Sequence, residues 1–267
     1  MPNPLPPSKI GSIKRRRLAV TALLLALVSA LGVRAYADHA QNTVLRADPE
    51  AILPDPVMRE TALREGRTVF VAHCASCHGQ DGKGDRQVGV PDLTDDDHLF
   101  GSGLVSEIED IARYGIRAHD SRGANLASMP AHIGTALPHN GKSPPPQSST
   151  PSLTPAQIED VTQGLLWFTD HATDIAAARR GQKLFKGPAG CWDCHAGDAG
   201  GDPAIGAPAL SDSVWLYGDG GHDAIYQSIA YGRAGMSPAF DRILTAAQLR
   251  DVAVYVASLA PTKASRR

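Results

Sequence analysis

Aromatic side chains are scarce in this chain: three tryptophans, six tyrosines and five phenylalanines make up 5% of 267 residues. Ring packing alone therefore cannot fill the cores that a 42% apolar content would otherwise support. Cysteine is rarer still. The four cysteines, at 74, 77, 191 and 194, all fall in two short motifs, which leaves none for a structural disulfide. Strand-like alternation of useful length is missing, so the chain reads as mostly helical with long loops. Acidic residues are absent from positions 1–17, which hold Lys9, Lys14, Arg15, Arg16 and Arg17. Without those five, 21 basic residues face 28 acidic ones. That balance does not fit a nucleic-acid binder. It leaves open either steering toward a basic partner face or a plain solvated surface. The length suits one large or two modest domains.

The two motifs are Cys74-Ala75-Ser76-Cys77-His78 and Cys191-Trp192-Asp193-Cys194-His195. Two cysteines three apart with histidine directly after is the attachment pattern of c-type haem. Each thiol adds to one porphyrin vinyl group, and the adjacent histidine reaches the iron as proximal ligand. A redox dithiol needs no following histidine. A zinc site would need all four cysteines to converge, and the pairs lie 117 residues apart. The reading is two covalently bound haems, on Cys74, Cys77 and His78 and on Cys191, Cys194 and His195. Bound haem also supplies the apolar bulk that the aromatics do not.

Leu18 to Val33 is a 16-residue apolar run preceded by Lys14-Arg15-Arg16-Arg17. The basic flank places residues 1–17 in the cytoplasm and the rest of the chain outside. The run lies between the length of a signal-peptide core and that of a spanning helix. Ala35-Tyr36-Ala37 is a candidate cleavage site, whereas the long leader and Arg34 favour an uncleaved anchor. Residues 38–58 are polar and contain Pro49, Pro54 and Pro56, which reads as a tether holding the haem domains away from the membrane.

An internal repeat follows. At an offset of 117, Gly89-Val90-Pro91 falls on Gly206-Ala207-Pro208, Leu99-Phe100-Gly101 on Leu216-Tyr217-Gly218, and Tyr114-Gly115 on Tyr231-Gly232. The chain holds two copies of one domain. Thr154 and Thr245, each opening a capping box, are only 91 apart, so copy one carries 26 extra residues, some of them in the Pro-, Ser- and Gly-rich stretch 132–152. Each copy opens with a helix bearing a glycine on its apolar face, Leu63/Gly66/Phe70 and Ala178/Gly181/Phe185. A mid-helix glycine costs about 1 kcal/mol against alanine. Its recurrence predicts a close crossing with the C-terminal helices, whose stripes are Ile158/Val161/Leu165/Phe168 and Leu249/Val252/Val256/Leu259.

A low-spin haem needs a sixth ligand, and methionine thioether is a soft one that raises the potential. Of four methionines, Met1 starts the chain and Met58 precedes the first haem helix. Met129 lies 51 residues beyond His78 and Met236 lies 41 beyond His195, each on a proline-containing loop. The expectation is one methionine for each haem in chain order. His39, His73, His98, His119, His132, His139 and His171 have no ligand-like spacing and read mostly as surface residues, with His222 kept as an alternative ligand to the second haem.

Taken together, the chain resembles the dihaem cytochrome c subunit of cbb3-type haem-copper oxidases, the CcoP/FixP family. Asn3-Pro4-Leu5-Pro6, Ala47-Asp48-Pro49-Glu50-Ala51-Ile52, Gly89-Val90-Pro91-Asp92-Leu93, Tyr114-Gly115-Ile116-Arg117, Trp215-Leu216-Tyr217-Gly218 and Gly232-Arg233-Ala234-Gly235 carry the resemblance, over nearly the whole chain. It departs in two places. Ser237 stands in the methionine column of the family's Gly-Arg-x-Gly-x-Met-Pro loop, with Met236 one residue earlier, and Ala196 follows His195 where the family has glycine.

The resemblance implies a single N-terminal anchor in a bacterial inner membrane (18–37, after a cytoplasmic 1–17), a linker (38–58) and two tandem class I cytochrome c domains (59–172 and 173–267) in the periplasm. It implies an electron-relay subunit with no catalysis of its own. The partners would be a soluble donor cytochrome and the catalytic and monohaem subunits of the oxidase. Trp215, Arg117 and Arg233 are expected to shape the haem environment, with the arginines alternatively serving as capping or surface residues. The rival readings are a free-standing dihaem shuttle, the cytochrome subunit of a periplasmic dehydrogenase, or a haem enzyme with one open iron position.

Overall fold

The computed structural model describes residues 9–118, 121–124, 127–133 and 153–261, with side chains from residue 17 onward. Asn3 to Pro6, His119, His139 and most of 132–152 lie outside the described residues. The elements are helices: α1 (Lys9–Arg46), α2 (Pro49–Ile52), α3 (Pro56–His73), α4 (Ala75–His78), α5 (Val105–Tyr114), α6 (Pro155–Phe168), α7 (Ile175–Phe185), α8 (Trp192–His195), α9 (His222–Tyr231) and α10 (Ala246–Ala257). Among the described residues, β structure amounts to isolated bridges, as the lack of alternation predicts.

The apolar run sits inside α1, where Leu23 and Val33 are more than 70% exposed. From Arg17 to Arg46 the helix is long and apolar enough to cross a membrane. It runs without a break through Ala35-Tyr36-Ala37. The free tether expected at 38–58 is not what the structure shows. The last turns of α1 dock on the head: Val44 is fully buried, packed with Ile52, Ala62, Val105, Ala253 and Val254. Gln41 Nε2 donates to Asp251 Oδ2 at 2.5 Å. Arg250 Nη1 donates to the carbonyls of Val44 and Ala47, which the end of the helix leaves unpaired. The same Arg250 reaches buried Glu109 through Nε at 2.5 Å, and Arg113 binds the other oxygen of that carboxylate. The prolines read as linker punctuation have another role. Pro49 and Pro56 open α2 and α3 behind the N-caps Asp48 and Asp55, where a missing N–H costs nothing.

The glycine crossings form as expected, with exchanged partners. A Cβ on Gly66 of α3 would overlap the Asp251 carbonyl and Tyr255 of α10; one on Gly181 of α7 would overlap the Asp160 carbonyl and Val161 of α6. So α10, the last of the described elements, closes the first half, and α6 closes the second. The packing units are therefore 56–118 with 236–261, and 127–133 with 153–235, which differs from the consecutive division 59–172 and 173–267. A sequence offset identifies equivalent helices but not the copy on which each packs. Two crossover segments run antiparallel between the halves. They are joined by the bridges Met129↔Arg233 and Ile116↔Ser237 and by hydrogen bonds from Ile133 N to Ala230 O and from Phe240 N to Ala112 O.

The halves also interlock through the aromatic residues of the repeat. Gly101 N donates to Pro203 O at 3.0 Å, and its counterpart Gly218 N to Arg86 O at 2.9 Å. These contacts lay Phe100 over Gly206 and Tyr217 over Gly89, leaving no room for a Cβ at either glycine. The result is a pseudo-two-fold pair.

Candidate haem site

In each half the motif forms one turn of helix, α4 or α8, just beyond the glycine-bearing helix. The loops after it match bond for bond. Gly84 N donates to His78 O as Gly201 N does to His195 O, and Leu93 N to Gly82 O as Leu210 N does to Ala199 O. This loop brings a proline carbonyl to each histidine. His78 Nδ1 lies 3.4 Å from Pro91 O, and His195 Nδ1 lies 2.9 Å from Pro208 O. A carbonyl only accepts, so Nδ1 carries the proton and the Nε2 lone pair is free for a metal. Burial lowers the pKa of both histidines, which favours the neutral imidazole that ligation requires. It also pushes the Cys74 and Cys191 thiols up to about 11, with neighbouring Cys77 adding to the effect at Cys74. All four cysteines are free rather than paired as disulfides.

Both motifs open on one cavity of about 1060 Å³, walled by apolar residues from both halves and lined also by Met129 and Met236. A site for one small cofactor runs to about 300–1,000 Å³, so this volume and the doubled ligand sets fit two bulky groups better than one.

The structure brings the expected ligands to the cavity but crosses the methionines. Met129 packs on the core of the second half, with Cys191, Leu210 and Trp215, and not on the first. The stretch carrying Met236 lies along the first half. Ile116 N and Ser237 O are 3.0 Å apart, and downstream Phe240 packs with Cys74 and Leu93. In place of the chain-order arrangement, Met129 thus lies with the half of His195 and the Met236 stretch with the half of His78, because each methionine loop travels with the exchanged C-terminal helix.

His222, kept as an alternative ligand, is not among the residues that line this cavity. It sits at the start of α9, its Nε2 2.8 Å from Glu159 and its Nδ1 3.0 Å from Asp223, and these acids raise its pKa. His132, expected at the surface, is buried and lines the cavity. Arg117 and Arg233 also line it. Arg117 donates to the carbonyls of Ala127 and Gly235, and the Arg233 guanidinium lies 4.2 Å over the Tyr217 ring. Burial lowers both guanidinium pKa values. They are cavity residues and not surface ones. Sequence reasoning missed the Gln41–Asp251 and Arg250–Glu109 contacts, and the one available signal was the run of polar residues at 250–251 inside an apolar stripe.

A Cys-x-x-Cys-His turn with its histidine oriented by a proline carbonyl, repeated in two helical halves, defines a tandem cytochrome c protein. Comparison with known families narrows this. The model of cytochrome c oxidase, cbb3-type, subunit III matches residues 61–163 and 176–256. The cbb3-type cytochrome c oxidase subunit CcoP of Cereibacter sphaeroides is 32% identical over 82% of this chain and 68% of its own length. That of Rhodobacter capsulatus is 35% identical over 82% and 69%. Subunit FixP of Azorhizobium caulinodans is 32% identical over 79% and 64%. Among solved structures, a chain of the Kuenenia stuttgartiensis reducing HAO-like protein complex covers 74% of this chain and is itself covered to 96%, at 17% identity and a TM-score of 0.19, too slight a likeness to carry an argument. The chain belongs to the family of subunit III of cbb3-type cytochrome c oxidase, whose cofactor is haem c.

Proposed function

We propose that this chain is the dihaem electron-relay subunit of a cbb3-type oxidase, passing electrons from a soluble donor cytochrome to the catalytic and monohaem subunits. It would be anchored in a bacterial inner membrane by α1, with both haem halves in the periplasm. The observation that carries the reading is the paired motifs on one shared cavity, each with a Nδ1–carbonyl bond that leaves Nε2 free. Haem, when bound, supplies one-electron chemistry. Cys74 and Cys77, and Cys191 and Cys194, would hold it by thioether bonds, with His78 and His195 as proximal ligands. Met129 would serve the haem of His195, and Met236 is the methionine on the side of the haem of His78. The chain supplies no acid, base or nucleophile to a reaction of its own. Its residues fix two groups in one cavity, exclude water with the Phe100 and Tyr217 interlock, and provide positive charge from Arg117 and Arg233 suited to haem propionates. Trp215, packed on the second core, would wall the second site.

An uncleaved α1 is supported by its docked far end, since cleavage after Ala37 would sever a helix whose next turns are built into the head. Purification from native membranes in mild detergent tests the whole reading. A b-type haem signal and a large polytopic chain are expected to co-purify. A soluble product with only c-type signal and an N-terminus at Asp38 would replace it with the free-shuttle reading.

A further inference from the structure

The two distal loops have the same backbone and different side chains. Under the offset of 117, Ile116 corresponds to Arg233. The bridge Ile116↔Ser237 is therefore the counterpart of Arg233↔Met129, and Ser237-Pro238 occupies the place of Met129-Pro130. The glycine before each bridge confirms the register. A Cβ on Gly232 would meet the backbone of Met129 to Ala131, and one on Gly115 would meet the backbone of Ser237 and Ala239. In extended chain, successive side chains leave on opposite sides. Met236 therefore cannot stand where Met129 stands unless the loop slips by one residue.

That slip is opposed on both sides of Met236. Ile116 N donates to Ser237 O and Ser237 N to Ile116 O, both at 3.0 Å, and Arg117 Nη1 donates to Gly235 O at 2.5 Å. Further along, Phe240 N donates to Ala112 O at 3.0 Å. A one-residue shift breaks all of these and reverses the faces of the segment.

We propose that the distal position of the haem held by His78 is not closed by a protein thioether and takes small diatomic π-acceptor ligands, carbon monoxide or nitric oxide, on ferrous iron. Met129 closes the equivalent position at the other haem. The inference rests on the dihaem reading above and refines it: one half is a closed relay and the other a relay with an accessible iron. Ligand addition here changes no oxidation state and releases no group.

The test uses the full-length haem-loaded protein in detergent. A pyridine haemochrome count comes first; fewer than two haems c per chain overturns the cofactor reading and this inference with it. With two haems present, dithionite-reduced protein is titrated with carbon monoxide. The expected adduct involves one haem of the two, and the near-infrared thioether-to-ferric-iron band in the oxidised protein has half the intensity of a fully methionine-ligated pair. Ser237→Met removes the adduct, Met236→Ala leaves it unchanged, and Met129→Ala doubles it. Absence of an adduct in the parent protein, or its appearance only on Met236→Ala, overturns the proposal, because Met236 would then ligate through a shifted loop.

Discussion

Ala196 carries a strain that its counterpart avoids. It closes α8 at φ 60° and ψ 163°, a region open almost only to glycine, while Gly79 closes α4 at φ 77° and ψ 162°. Each such residue costs on the order of 1–3 kcal/mol. Ala196→Gly is thus expected to raise stability by about 1 kcal/mol or more, and Gly79→Ala to lower it, read from denaturant midpoints of the haem-loaded protein. This departure was visible in the sequence, because the copies could be aligned on their motifs. The cysteines and histidines were legible for the same reason: covalent attachment fixes their spacing regardless of the surrounding fold. The methionines were legible as cavity residues, but the half that each joins was not, since a loop residue has no fixed distance along the chain from the motif it faces.

At the scale of the element, the junction of α1 with α10 is the least forgiving part of the molecule. Asp251 is 2% exposed, and its Oδ1 has no hydrogen-bond partner among the described residues. Burial raises its pKa from 3.8 to about 7, against the opposing bond from Gln41 on α1; Glu65 raises it further, and Arg250 and Arg64 lower it. The folded state therefore holds a proton that the unfolded chain releases near pH 4. Stability from this group is full below that pH, falls as pH rises toward 7 and stays low above it, a swing on the order of 4 kcal/mol. Asp251→Asn is expected to flatten that dependence and to stabilise the protein at pH 8, measured by chemical denaturation across pH. Arg250→Ala should do the reverse, leaving Glu109 buried with only Arg113 and freeing the carbonyls at the end of α1. Loss of a buried partner costs about 3–5 kcal/mol, and faster hydrogen exchange at residues 39–47 would report the undocking. Beyond the polar residues at 250–251 inside an apolar stripe, none of this was legible beforehand: Pro49, Pro54 and Pro56 suggested a tether, and only the packing reveals which side chains meet α1.

For the whole molecule, the exchange of α6 and α10 makes the first half depend on a helix from far along the chain, while the second half is continuous in sequence. The repeat showed two copies, but an offset carries no information on whether a C-terminal helix folds back on its own copy or across. The 26 extra residues of copy one are consistent with a crossover longer than a simple turn. The consequence can be tested with fragments. A chain cut to 59–172 keeps Gly66 without α10 and Met129 without its cavity wall. One cut to 173–267 keeps Gly181 without α6. Each lacks the helix that its glycine was shaped to receive, and each exposes an apolar stripe that the intact protein buries. Neither is expected to hold haem in a cooperatively folded state. A fragment of 127–235 contains α6, α7, α8, α9 and Met129 in one stretch, and it should fold, attach one haem and show a methionine-ligated spectrum. Haem staining and thermal melting of the three fragments, expressed with the c-type haem attachment machinery, decide the matter. If 59–172 and 173–267 fold singly with haem and 127–235 does not, the exchanged packing is wrong, and the crosswise placement of the methionine loops goes with it, because both follow from the same crossover of the chain.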